Sequence, residues 1–119
     1  MELQIATKKA TMGHKLGIGI VAKQSGWRIK AEWTLVERSS HRDIQDEDVA
    51  VRLALMKARQ QGWQRIKVIS ANKQLIAWLK AGKGDNPNTA TLVEDINVLA
   101  NLFQMCSFEV RNISNMSFK

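Results

Sequence analysis

Residues 16–23 read LGIGIVAK and residues 27–35 read WRIKAEWTL, and this pair of stretches decides the fold. The first stretch is apolar on both faces and rich in β-branched residues, which is typical of a strand in the middle of a sheet. The second stretch alternates, and its apolar face carries Trp27, Ile29, Ala31, Trp33 and Leu35. Because the turn-forming pair Ser25-Gly26 separates them, the two stretches are predicted to form an antiparallel hairpin.

One predicted strand precedes the hairpin, and a helix and another strand follow it. Weak alternation over residues 3–7 indicates a short strand, and residues 66–70 (IKVIS) are typical of a brief buried strand. Between them, apolar residues at helical spacing predict a helix over residues 49–60, which Gly62 ends. Three carboxylates occupy its first turn, where they suit the positive end of the helix dipole. They belong to Asp46, Glu47 and Asp48.

Two more helices and a last strand are predicted in the second half of the chain. Asn72 is a suitable cap for a second helix, and residues 82–88 form a loop with the only proline. Thr89 or Thr91 is a suitable cap for a long third helix, and Phe108 lies on the final strand.

The resulting order, βββαβααβ, predicts an α/β fold with a five-stranded mixed sheet flanked by helices. The antiparallel part comes first, and the two later strands, each reached by a helical crossover, are expected to run parallel to the first strand. The length of 119 residues suits one domain, over residues 1–119.

The composition limits the classes of partner. Lysine and arginine total 18 against 11 aspartate and glutamate, which gives a formal net charge of +7. Such a balance favours nucleic acid as a partner, although a basic surface also serves plain solubility. No apolar run is long enough for a membrane and no signal sequence follows Met1, so an intracellular location is expected, in cytoplasm or nucleus. Cys106, the only cysteine, is expected to be a buried, inert thiol at a helix end.

Five sequence motifs, taken in order, carry a resemblance to a known family. They are GIGIV at 17–21, AEWTLVE at 31–37, EDVAVRLALMKARQQGW at 47–63, IKVISANKQLIAWLKAGKG at 66–84 and FEVRNISN at 108–115. The chain resembles the ribonuclease H-like superfamily, and most closely its plant reverse-transcriptase-like branch, which occurs in retroelements and in host genes derived from them. This resemblance spans nearly the whole chain and implies the same mixed-sheet fold.

The resemblance also implies a chemistry, namely phosphodiester cleavage in RNA/DNA hybrids by two Mg²⁺ ions. Mg²⁺ prefers oxygen ligands, so the family brings four carboxylates together. Carried onto this chain, the four positions are Ala6, Glu47, Ala71 and Lys119. Only Glu47 is acidic, and a shifted alignment does not help, because residues 3–31 and 49–84 contain no Asp or Glu.

The resemblance therefore implies a degenerate active site. One carboxylate cannot balance the charge of two divalent cations, so neither a metal nor another cofactor is expected. Mg²⁺ is expected only if the chain is an active nuclease. Glu47 is then explained by its place in the first helical turn.

The acid-free stretch 49–84 is rich in basic residues with tryptophans among them. Basic side chains interleaved with aromatic rings can hold a phosphate backbone and stack on bases. The alternative is ordinary solvent-facing charge, with the tryptophans in the core or at its rim. The candidate nucleic-acid contacts in this stretch and after the first strand are Lys8, Lys9, Arg52, Arg59, Arg65, Lys73, Lys80, Lys83 and Trp78.

Three functions are compatible with the sequence. The first is a catalytically inactive ribonuclease H-like module that binds RNA, DNA or their hybrid weakly through a basic face. The second is a protein-interaction or dimerisation module, for which the tryptophans and phenylalanines leave room for an exposed aromatic patch. The third is an active hybrid nuclease with an unconventional site.

Overall fold

The eight predicted elements are all present in the chain. The computed structural model of the protein describes residues 1–9, 14–24, 28–39 and 42–111. The predicted order βββαβααβ is confirmed. In chain order the elements are β1 (Glu2–Lys9), β2 (Lys15–Gln24), β3 (Arg28–Arg38), α1 (Asp43–Gln60), β4 (Arg65–Ser70), α2 (Lys73–Ala81), α3 (Pro87–Ala100) and β5 (Met105–Val110).

The strands form one mixed sheet in the order β3-β2-β1-β4-β5. The pairs β1–β2 and β2–β3 are antiparallel, whereas β1–β4 and β4–β5 are parallel. The parallel pairs are reached through helices, as the crossover rule requires. The predicted five-stranded mixed sheet, with its antiparallel part first, is therefore confirmed. The Ser25-Gly26 turn lies outside the described residues.

The three described helices pack on one face of the sheet. That face presents Leu3 and Ile5 of β1, which belong to one buried apolar cluster with Ala54 of α1, Leu75 of α2 and Ile96 of α3. Among the described helices, none has the length and hydropathy of a membrane-spanning segment.

The edge strand β3 is fixed to this core by a pair of aromatic rings. Trp33 of β3 meets Trp63, which follows α1, with ring centroids 6.1 Å apart and planes at 62°. This edge-to-face arrangement is the one that aromatic quadrupoles favour. The pair joins the antiparallel hairpin to the turn between α1 and β4.

Several local predictions were wrong. α1 begins at Asp43, well before residue 49, and Arg42 at its N-cap gives no side-chain capping bond, so the sequence carried no start signal. α3 is capped by Asn86 with Pro87 in the first turn, and not by Thr89 or Thr91. Cys106 lies on β5, not at a helix end, although it is half-buried and burial raises the pKa of its thiol to about 11.

Glycines shape the connection between α2 and α3. Gly82 ends α2 in the left-handed conformation, with φ of 76°, and its N–H donates to the Trp78 carbonyl. Gly84 packs against the first turn of α3, where a Cβ atom would lie 2.6 Å from the Ala90 nitrogen. Only glycine allows the chain to approach the helix this closely.

Candidate functional site

A cleft opens where the carboxyl ends of the parallel strands β1 and β4 meet the first turns of α1 and α2. Its volume is about 330 Å³. In open α/β sheets this end of the strands is the usual place for a ligand. We call it the α1 cleft, and seven of the described residues line it: Thr7, Lys9, Asp43, Asp46, Glu47, Ala71 and Asn72.

Glu47 is one of two buried carboxylates in the α1 cleft, the other being Asp46. The Oε2 atom of Glu47 accepts a hydrogen bond of 3.0 Å from the Ser70 hydroxyl at the end of β4. The Ser70 oxygen in turn accepts from the Asn72 backbone N–H at 3.1 Å. Burial raises the pKa of Glu47 above its ordinary value, the Ser70 hydrogen bond opposes that rise, and the charges of Asp43 and Asp46 add to it.

Lys9 places a positive charge in the same cleft. Its Nζ atom lies 2.7 Å from Asp43 Oδ1 and 3.4 Å from Asp46 Oδ2. The Ser39 hydroxyl also donates to Asp46 Oδ2, at 2.9 Å. The hydrogen bond to Asp43 is the largest cause of a raised pKa for Lys9, so its ammonium stays charged. The cleft thus contains a built-in cation.

The structure brings two of the four family positions into the α1 cleft. Glu47 and Ala71 line it, and Lys119 lies outside the described residues. Ala6 is opposite Gly19 in the β1–β2 ladder and faces away from the cleft, because side chains alternate along a strand. The adjacent Thr7 points into the cleft instead.

The residues of the α1 cleft do not suit a pair of divalent cations. Three carboxylates are present, but all come from the first two turns of α1, and Lys9 already bridges Asp43 and Asp46. From the neighbouring strands come Thr7, Ala71 and Asn72, which supply no negative charge. Within residues 1–9, 14–24, 28–39 and 42–111, no three acidic, histidine or cysteine side chains are arranged to hold a metal ion.

The predicted nucleic-acid contacts separate into two groups in the structure. Lys73, Lys80 and Lys83 are exposed along α2 and just past its end, and α2 begins beside the cleft at Asn72. Lys73 and Lys80 are seven residues apart and lie on the same side of the helix. None of the three lysines forms an ion pair with a described residue. We call these three residues the α2 stripe.

The remaining candidates lie elsewhere or are already engaged. Arg52 is half-buried and pairs with Asp48, with Nη2 and Oδ2 3.1 Å apart. Arg59 and Arg65 flank the turn between α1 and β4, at the end of the sheet opposite the cleft. Lys8 is exposed on β1 but alternates with Lys9 and so faces away from the helices.

The tryptophans of the basic stretch have structural positions. Trp78 is half-buried on α2 and packs against the core. Its indole nitrogen is buried and has no hydrogen-bond partner. Trp63 is held edge-to-face against Trp33. Neither indole ring therefore presents an exposed face on which a base could stack.

Sequence reasoning did not give several residues of the α1 cleft the place or role that the structure gives them. Thr7 was overlooked because the inferred strand position was one residue away, and one residue reverses the face. Lys9 was considered as a phosphate contact and not as the partner of Asp43. Asn72 was predicted as a helix cap, and its side chain does accept a hydrogen bond of 2.9 Å from the Leu75 N–H. Its place in the cleft was not predicted.

Comparisons with known proteins agree with this architecture. Ribonuclease H1 from Halobacterium salinarum superposes with a TM-score of 0.78 at 18% identity, covering 96% of this chain and 88% of the other. The N-terminal ribonuclease H domain of a Mycobacterium tuberculosis protein gives a TM-score of 0.72 at 17% identity, covering 94% and 88%. LC11 ribonuclease H1, isolated from compost by a metagenomic approach and solved in complex with an RNA/DNA hybrid, gives 0.79 at 13% identity, covering 95% and 86%.

These structural similarities establish a ribonuclease H-like fold. Among curated proteins, none matches the chain in sequence. The family model described as reverse transcriptase-like matches residues 20–116, which is most of the chain. The chain therefore has a ribonuclease H-like fold and belongs to the reverse transcriptase-like family.

Proposed function

We propose that residues 1–119 form one catalytically inactive ribonuclease H-like domain that binds nucleic acid weakly. The proposed contact surface is the α1 cleft together with the α2 stripe. One observation carries the proposal. The cleft holds the ammonium of Lys9 and the neutral side chains of Thr7 and Asn72 around Glu47.

The charges of the cleft support the absence of cleavage. An ammonium beside Asp43 and Asp46 repels a divalent cation at short range and consumes the negative charge that would attract it. Burial also raises the pKa of Glu47, which disfavours the charged form of this carboxylate. Without a metal there is no activated water for hydrolysis in this fold.

The α2 stripe supports the binding part of the proposal. Its three lysines are exposed and make no ion pair with a described residue, so their charges are available to phosphates. Contacts of this kind position a backbone without reading its sequence. The hybrid bound by LC11 ribonuclease H1 makes an RNA/DNA hybrid the first ligand to test.

Binding is tested by fluorescence anisotropy with a labelled RNA/DNA hybrid. Lys73→Ala, Lys80→Ala and Lys83→Ala are each expected to weaken binding and to reduce the slope of log affinity against log salt by about 1. Arg59→Ala is the matched control, because it removes the same charge from an exposed position at the other end of the sheet. Equal losses in all four variants would show that only net charge matters and would contradict a defined surface.

Inactivity is tested by incubating the same hybrid, labelled in its RNA strand, with Mg²⁺ or Mn²⁺. No cleavage product is expected. Product that disappears in the Glu47→Gln variant would establish an active nuclease and overturn the proposal. Product that persists in that variant would indicate a contaminating nuclease. Purifying the parent protein again and repeating the assay would then show whether the activity follows the protein.

A second candidate function, dimerisation or protein interaction, is favoured by the edge strand β3. Two of its apolar side chains are unusually exposed, Ile29 at 50% and Val36 at 65%. An edge strand with apolar side chains is a template for pairing with another chain. A mass that rises with concentration in light scattering, and that Val36→Lys abolishes, would favour this candidate.

A further inference from the structure

A second and larger pocket lies on the sheet face away from the helices, at the amino ends of β1 and β4. Its volume is about 470 Å³, within the range of small-molecule sites. It is lined by Gln4 of β1, Lys67 of β4 and Met105 of β5, which share that face of the sheet. The α1 cleft is at the opposite end of the same strands and on the other face, so the two sites are separate. We call this second site the sheet pocket.

The sheet pocket is positively charged. Four basic side chains line it, from Lys23, Arg65, Lys67 and Arg111, against Glu2 in the lining and Glu109 beside it. Among the described side chains, four positive and two negative charges leave a net charge of +2, to which the N-terminal ammonium of Met1 adds one more positive charge.

The acidic residues neutralise only part of the basic set. Arg111 Nη2 lies 3.4 Å from Glu2 Oε1 and 3.2 Å from Glu109 Oε1, and Lys67 Nζ lies 3.5 Å from Glu109 Oε2. Lys23 and Arg65 form no ion pair with any described residue. The sheet pocket therefore offers two uncompensated cations to an anion.

Gln4 supplies a polar group at the floor of the sheet pocket. Gln4 is only 5% exposed. The residues beside it on the neighbouring strands, Val21 of β2 and Ile69 of β4, are buried and apolar. The Gln4 amide lines the pocket but makes no hydrogen bond with a described residue. The amide is open to the pocket, so a ligand that enters the pocket can hydrogen-bond to the Gln4 side chain.

We infer that the sheet pocket binds an adenine mononucleotide. Lys23 and Arg65 hold the phosphate, since a mobile ammonium and a planar guanidinium both bind phosphate oxygens. The Gln4 amide pairs with the amino group and ring nitrogen on the edge of adenine, a pairing that glutamine makes through two hydrogen bonds. Met105, which is 58% exposed, offers an apolar and polarisable surface to the ring.

The inference is tested by titrating AMP, adenosine and inorganic phosphate into isotope-labelled protein and following amide signals by NMR. AMP is expected to shift the Gln4 side-chain amide signal and to bind at least about tenfold more tightly than adenosine or inorganic phosphate. Lys23→Ala and Arg65→Ala are expected to weaken AMP binding. Arg59→Ala, which removes an exposed charge from α1 on the helical side of the sheet, is expected to leave AMP binding unchanged.

Gln4→Leu separates base recognition from phosphate binding. Leucine suits the apolar neighbours of position 4, so the fold is retained, and the preference for AMP over inorganic phosphate is expected to vanish. Three results would overturn the inference: no AMP-dependent shift, AMP and inorganic phosphate binding equally well to the parent protein, or equal weakening by Arg59→Ala. Because hybrid binding is measured separately on the α2 stripe, failure here leaves the proposed function standing.

Discussion

Asp48 is held in an unfavourable charged state on α1. Its side chain is 2% exposed, Oδ2 meets Arg52, and Oδ1 is buried without a partner. Burial raises the pKa of Asp48 from 3.8 to about 6, the Arg52 guanidinium opposes the rise, and Asp95 adds to it. The folded protein therefore keeps this proton to a higher pH than the unfolded chain does.

This arrangement predicts that Asp48→Asn stabilises the protein at neutral pH. Because the pKa is higher in the folded state, the parent loses unfolding free energy as pH rises from about 4 to about 6. The variant is expected to gain up to about 3 kcal/mol near pH 7 and little near pH 4, as measured by urea denaturation. Asp85→Asn, at an exposed loop position, is the control. A gain that does not depend on pH would contradict this account.

The α1 cleft makes a second prediction at the scale of single residues. In a Lys9→Ala background, Thr7→Asp with Asn72→Asp adds two carboxylates beside Glu47, and the variant is expected to bind Mn²⁺. The same background with Ala6→Asp and Asn72→Asp adds equal charge, but residue 6 faces away from the cleft. The Mn²⁺ affinity of this control variant, measured by calorimetry, is expected to be at least about tenfold lower than that of the variant with Thr7→Asp. Equal affinities would show that residue 6 reaches the cleft.

The sequence indicated where the α1 cleft lies, but it did not show which side chains point into the cleft. The resemblance to the ribonuclease H-like superfamily gave Glu47 and Ala71 as two of the catalytic positions, and both line the α1 cleft. Ala6 and Thr7 could not be distinguished, because β1 alternates weakly and the Gln4 side chain is buried on the non-helical face. The bond between Lys9 and Asp43 joins residues 34 apart in sequence, a distance at which no local pattern operates.

At the scale of elements, the sequence predicted the type and order of all eight, and erred at helix starts. The helix was predicted over residues 49–60 because the apolar spacing begins at Val49, and Asp46 and Asp48 were assigned only to its first turn, as partners of the helix dipole. Both are in fact 2% exposed, since they pack within the first turns of α1. For α3, Asn86 and Thr89 are both cap-type residues, and they form one capping box with Asn86 at the N-cap, against which Gly84 packs.

Gly84 therefore provides a test at the scale of elements. Gly84→Ala places a methyl group against Thr89 and Ala90 in the first turn of α3 and is expected to lower the unfolding free energy by about 1–3 kcal/mol. Lys83→Ala, at the adjacent exposed residue, is the control and is expected to have little effect. Thermal and urea denaturation measure both. Unchanged stability in Gly84→Ala would mean that the approach to α3 is looser than described.

At the scale of the whole molecule, the net charge of +7 is divided between faces. The α2 stripe lies on the helical side, and the cations of the sheet pocket lie on the opposite side of the sheet. A duplex that lies along one side therefore meets only part of the charge. Net charge alone overstates how strongly the protein holds nucleic acid.

This division predicts a shallow salt dependence for hybrid binding. Three phosphate contacts give a slope near −3 in a plot of log affinity against log salt, at about 0.9 for each contact. Anisotropy titrations over a series of salt concentrations measure the slope. A slope near −7 would mean that most of the basic residues act together, and the α2 stripe would then be too small a description of the surface.

The contact between Trp33 and Trp63 gives the protein an intrinsic optical probe. One indole belongs to the edge hairpin and the other to the turn that leads into β4, so their separation changes as soon as the hairpin detaches. Excitation energy is transferred between two indoles this close, which depolarises their emission. The transfer stops when the two rings separate. Polarised tryptophan emission therefore follows the opening of one sheet edge in unlabelled protein, before the parallel strands come apart.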